Sequence, residues 1–67
     1  MKPGTKLRHF KGGEYRVDMI AKCAETTRDL VVYTSLAHGT TWVRPLSEFD
    51  EHVSRDGYDG PRFLKID

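Results

Sequence analysis

A chain of 67 residues is one domain by size, and folding hides only roughly 60% of the surface the unfolded chain exposes, so its core is thin. With 37% hydrophobic and 31% charged residues and no apolar run near the ~20 residues of a membrane span, the composition excludes a transmembrane chain and predicts a soluble one. The opening Met1-Lys2-Pro3-Gly4 leads into charge where a signal peptide carries an apolar stretch, and the single Cys23 allows no intramolecular disulfide; the expected location is cytoplasmic and the expected source of stability is packing alone.

The net charge of +1 hides an uneven distribution. Residues 1–22 carry Lys2, Lys6, Arg8, Lys11, Arg16 and Lys22 against Glu14 and Asp18, whereas residues 47–60 carry Glu48, Asp50, Glu51, Asp56 and Asp59 against Arg55. A basic beginning thus faces an acidic late segment, and opposite ends of two copies could pair, which makes self-association one expected partner mode.

In chain order, Lys6 to Phe10 reads as a short strand. Gly12-Gly13 supplies the positive φ of a tight hairpin and divides it from a second run, Glu14 to Lys22. There Tyr15, Val17, Met19, Ala21 and Cys23 alternate onto one face and Arg16, Asp18 and Lys22 onto the other. Ile20 breaks the alternation, as in a strand that bends between two packing surfaces. A polar turn over 25–29 leads to Leu30-Val31-Val32-Tyr33-Thr34-Ser35-Leu36, β-branched and aromatic enough for a central strand. Ala37-His38-Gly39 connects it to Thr40-Thr41-Trp42-Val43-Arg44, which stops at Pro45. Leu46-Ser47-Glu48-Phe49 predicts a single 3₁₀ or helical turn whose Leu46 and Phe49, three apart, point together into one end of the core. Residues 50–60 are polar and are expected to form a flexible loop, and Pro61 to Ile66 a short closing strand. The element order is that of a mainly β domain: a small five-strand SH3-like barrel with one short turn near its C-terminal part.

Three segments also carry a resemblance. Arg8-His9-Phe10-Lys11-Gly12-Gly13-Glu14-Tyr15-Arg16-Val17, Leu30-Val31-Val32-Tyr33 with Leu36, and Thr41-Trp42-Val43-Arg44-Pro45-Leu46 with Phe49 resemble a family of small bacterial proteins catalogued as domain of unknown function 1653. The likeness spans about residues 4 to 63. It implies bacterial origin and a stand-alone β domain, and it brings no activity, catalytic residue or ligand.

His9, His38, His52 and Cys23 lack the paired spacing of a structural zinc site, and no nucleophile stands near a base in sequence; no metal, cofactor or catalytic set is expected. The set above background combines cations with flat rings: Arg8, His9, Lys11, Tyr15, Tyr33, Trp42 and Arg44. Trp42 and Arg44 share one strand face, so an Arg44 that points to solvent leaves Trp42 partly exposed. The expected role is a binding module, not an enzyme, that takes a protein or peptide partner on this aromatic and basic surface. The alternative is single-stranded RNA bound through the basic N-terminal hairpin, against which stands a pI of about 7.9.

Overall fold

The computed structural model describes residues 1–49 and 51–66. Among them the strands are β1 (Lys6–His9), β2 (Glu14–Lys22), β3 (Asp29–Ser35), β4 (Thr41–Pro45), β5 (His52–Arg55), β6 (Tyr58–Pro61) and β7 (Phe63–Lys65), with a 3₁₀ turn at Leu46–Glu48. The protein is mainly β, and among the described residues no helix is long and apolar enough to cross a membrane.

Strands β1 to β4 run as an antiparallel meander, and β7 returns to the free side of β1, giving the order β4-β3-β2-β1-β7. The ladders do not close into the barrel that the element order suggested. β4 and β7 end the sheet, and among the described residues no ladder joins them. Of the segment expected as a loop, Asp50 lies outside the described residues, and the rest carries a second, two-stranded sheet, β5 paired with β6 in the register Val53↔Gly60 and Arg55↔Tyr58. Its turn is Asp56-Gly57, both at positive φ (53° and 80°), the geometry of a two-residue type I′ hairpin.

The connection expected at Gly12-Gly13 forms, with Gly12 alone of the pair at positive φ. Gly12 sits at φ 105° and donates to the His9 carbonyl at 2.7 Å, while the His9 N–H reaches the Gly13 carbonyl at 2.7 Å. In β2 the register shifts between Val17 and Met19, so Asp18 is a bulge residue. Val17 pairs with Tyr33 on the core face, but Met19 pairs with Val32 on the opposite face and is 53% exposed. The uninterrupted alternation expected from Tyr15 to Cys23 therefore holds only as far as Val17. Asp18 is itself fastened, accepting from Arg16 Nε at 3.0 Å and from the Thr34 hydroxyl. Those two bonds, the Thr34 one first, hold its carboxyl below the usual range. Cys23 lies half-buried at the following turn, where the Thr27 N–H bonds its carbonyl at 2.8 Å.

The core is a cluster of Leu7, Val17, Val31, Tyr33, Phe49 and Phe63, with Tyr15 and Leu46 packed against it. Phe49 is 1% exposed and stacks on Phe63 at 4.5 Å, and Tyr33 meets both rings edge-on at 5.3 and 5.7 Å. The 3₁₀ turn thus delivers Leu46 and Phe49 to the core as their spacing predicts. The β5–β6 hairpin is tied on from outside: Tyr58 stacks on Phe10 at 5.5 Å, the Arg55 guanidinium sits 5.4 Å from the Phe10 ring, and Phe10 N–H bonds the Arg62 carbonyl at 3.0 Å.

Candidate functional site

All five strands of the larger sheet bring one face of side chains around a cavity of about 190 Å³, lined by His9, Tyr15, Tyr33, Trp42, Arg44 and Phe63. The register explains the convergence. Val17, Tyr33 and Trp42 stand side by side across β2, β3 and β4, Val31 faces Arg44 one step along, and His9 faces Phe63 across β1 and β7. Tyr15 meets Tyr33 edge-on at 5.3 Å and Phe63 at 5.9 Å, and His9 meets Phe63 edge-on at 5.0 Å.

Exposure grades across this wall. Tyr33 is 6% exposed and belongs to the core, Tyr15 is half-buried, and Trp42, on the edge strand, is 52% exposed. Arg44 does not point freely to solvent as the sequence suggested; its side chain is 30% exposed and Nη1 donates to Glu48 Oε1 at 3.0 Å. The Tyr33 hydroxyl against its guanidinium raises its pKa further, burial opposes the rise, and Glu48 adds to it. Arg44 Nε is buried and has no hydrogen-bond partner among the described residues.

His9 is biased toward its neutral form. Its burial first, and then the charges of Arg62, Arg44, Lys11 and Arg55, lower its pKa from the ordinary 6.5. Its Nδ1 accepts the Lys11 backbone N–H at 3.1 Å, so the neutral ring carries its hydrogen on Nε2 and presents a second donor. The wall therefore combines flat rings, the Arg44 guanidinium and the His9 Nε2–H, with the charges of Arg62, Lys11 and Arg55 nearby.

Five of the seven residues singled out in the sequence meet here. Arg8 and Lys11 do not line the cavity: Arg8 bonds Glu14 at 2.9 Å in an exposed pair, and the Lys11 ammonium lies 5.9 Å from the Phe10 ring. Phe63 lines it without having been singled out; its signal was the return of the closing strand to β1. Three of the late acids are engaged within their own chain, Glu48 with Arg44, Glu51 with Arg62 at 2.9 Å and Asp59 with His52 at 2.6 Å.

The chain matches the family model described as a protein of unknown function (DUF1653) over residues 5–65. A crystal structure of a protein of that family from Bordetella bronchiseptica is similar at a TM-score of 0.84 and 32% identity, covering 98% of this chain and 87% of that one. No curated protein matches. The chain belongs to the DUF1653 family.

Proposed function

We propose that the protein is a non-catalytic interaction module whose cavity receives one side chain of a protein or peptide partner, a flat or apolar group that ends in a hydrogen-bond acceptor such as a carboxylate. The observation that carries the reading is the convergence of His9, Tyr15, Tyr33, Trp42 and Arg44 on a single cavity. Its volume of about 190 Å³ is below the ~300–1,000 Å³ typical of small-molecule pockets and suits a single inserted side chain. The rings supply stacking area, and the partly exposed Arg44 guanidinium and His9 Nε2 supply donors for the acceptor. A phosphate backbone needs a row of available cations, whereas in the N-terminal hairpin Arg8 already holds Glu14 and Arg16 holds Asp18, so the peptide reading is preferred to the RNA one.

The test is selection of binders from a random-peptide library on the immobilised protein, followed by amide chemical-shift mapping. The expected result is enrichment of acidic peptides, shifts centred on residues 9, 15, 33, 42 and 44, and at least tenfold weaker binding to Trp42→Ala and Arg44→Gln. Peptides that bind both variants unchanged would sink the reading, and so would preferential binding of a single-stranded oligouridylate with a negative salt slope.

A further inference from the structure

We infer that the β4 edge is a self-complementary interface through which two copies join their sheets, a feature that does not depend on what enters the cavity. The two ends of the five-stranded sheet are not alike. β7 is three residues long and carries Lys65, and both features discourage strand addition. β4 has five residues, Thr41-Trp42-Val43-Arg44-Pro45, with no lysine and no register shift against β3, and Trp42 and Val43 are 52% and 62% exposed. An edge of this length with an unbroken register, unpaired among the described residues and with Trp42 and Val43 exposed, is a template for another strand.

The hydrogen-bond phase fixes which groups it offers. Ser35 N–H bonds the Thr40 carbonyl at 2.9 Å, and the β3–β4 register runs Thr34↔Thr41, Tyr33↔Trp42, Val32↔Val43, Val31↔Arg44 and Leu30↔Pro45. Antiparallel ladders alternate, so Trp42 and Arg44 spend their backbone groups on β3, and Thr41 and Val43 point theirs outward. Pro45 falls in the outward phase, where its missing N–H costs the β3 ladder nothing.

The occupant follows from the residues themselves. When a second copy is set antiparallel with the two-fold axis at Val43, Val43 exchanges both backbone bonds with its counterpart, and each Thr41 N–H meets the other copy's Pro45 carbonyl. The pairing matches at the side chains too. Each Trp42 faces the other copy's Arg44 on the cavity side, ring against guanidinium, while the two Val43 side chains meet on the outer face beside Val32 and Met19. Cation sets against ring, and no like charges stand directly opposite. Because Trp42 and Arg44 both line the cavity, each copy then adds the partner's Trp42 to the rim of the other's site. A second copy is also the occupant a thin-cored chain of 67 residues gains most from, since it covers the exposed Trp42 and Val43.

Sedimentation equilibrium across a concentration series tests this, together with hydrogen exchange of the Thr41 and Val43 amides. The expected result is a monomer–dimer equilibrium whose mass rises from the 7.7 kDa monomer toward twice that value, with exchange at both amides slowing as concentration rises. Val43→Lys, which sets two ammonium groups face to face at an already exposed position, is expected to remain monomeric and folded by circular dichroism. Val43→Thr keeps the strand and its backbone bonds and is expected to retain the dimer. A wild-type monomer at every concentration overturns the inference. A dimer that survives Val43→Lys overturns it as well, as do Thr41 and Val43 amides whose exchange ignores concentration.

Discussion

Phe63 and Trp42 are two large aromatic side chains on one cavity wall, and truncating each to alanine separates core from surface. Phe63 is 7% exposed, stacks on Phe49 at 4.5 Å and meets Tyr33, Tyr15 and His9 edge-on, so its removal opens a void on several sides. The expected cost of Phe63→Ala is about 3–5 kcal/mol. A chain of this length is stable by roughly 3–10 kcal/mol in total at ~0.05–0.15 kcal/mol per residue, so this one change removes a large share of it. Trp42 is 52% exposed and its removal leaves an open surface in place of a cavity. At ~25 cal/mol per Å² for the half it buries, Trp42→Ala costs about 1–2 kcal/mol. Near the transition 1 kcal/mol corresponds to about 7 °C for a domain of this size, so the midpoint falls by roughly 20 °C or more for Phe63→Ala and by about 7–14 °C for Trp42→Ala. Thermal unfolding followed by far-ultraviolet circular dichroism reads both, on dilute samples so that association does not contribute. Equal losses, or a Phe63→Ala midpoint within a few degrees of wild type, would refute the division of this wall into a buried and an exposed part.

Gly57 at φ 80° closes the β5–β6 turn, and Gly57→Ala places a Cβ in the left-handed region at a cost of about 1 kcal/mol; the same thermal assay reads it, and an unchanged midpoint counts against the type I′ turn. His9 gives the fold a pH dependence. Its folded-state pKa lies below the 6.5 of the unfolded chain, so as pH falls through 6.5 the unfolded state takes up the proton first. The His9 contribution is therefore fully present above pH 6.5 and is lost progressively below it. Urea midpoints measured from pH 8 to pH 5 should decline on the acid side more steeply for wild type than for His9→Gln, and parallel curves would show that His9 carries no such linkage.

How far the sequence reached depends on which local signal each feature left. The Gly12-Gly13 hairpin, the β3 run and the Leu46/Phe49 plug each rest on a short-range rule that tertiary context had no reason to override. Asp18 is different. Period-two alternation carries one phase along a strand, and a bulge resets it; Ile20 breaking the pattern was the trace of that reset, and the face of Met19 was misassigned because the phase was continued through it. The β5–β6 hairpin was missed for the opposite reason. Asp56-Gly57 is a strong turn signal, but Val53 is the single buried apolar residue in the strands it joins, so no alternation announced them. The hairpin is held instead by contacts of Tyr58 and Arg55 to Phe10, which is distant in sequence, and by the Arg62–Glu51 pair across its base.

The cavity set was legible by residue type, and strand parity would have sharpened it. Rings and cations were grouped without regard to which face each one takes. Parity sorts them: His9 alternates with the buried Leu7 and turns inward, so Arg8 between them must turn outward, where it meets Glu14. The same rule joins Trp42 and Arg44 to Tyr33 and Val31 across β3, and it settles why Arg44 is half-buried, because it shares the face that holds Val31 at 0% exposure. What parity does not give is depth. Tyr33 and Trp42 are cross-strand partners on one face, yet one is core and the other surface, because β3 has neighbours on both sides and β4 on one. The exposure of Trp42 is thus a property of the sheet's edge, and the ring available to a ligand is set by strand order rather than by the residue's own hydrophobicity.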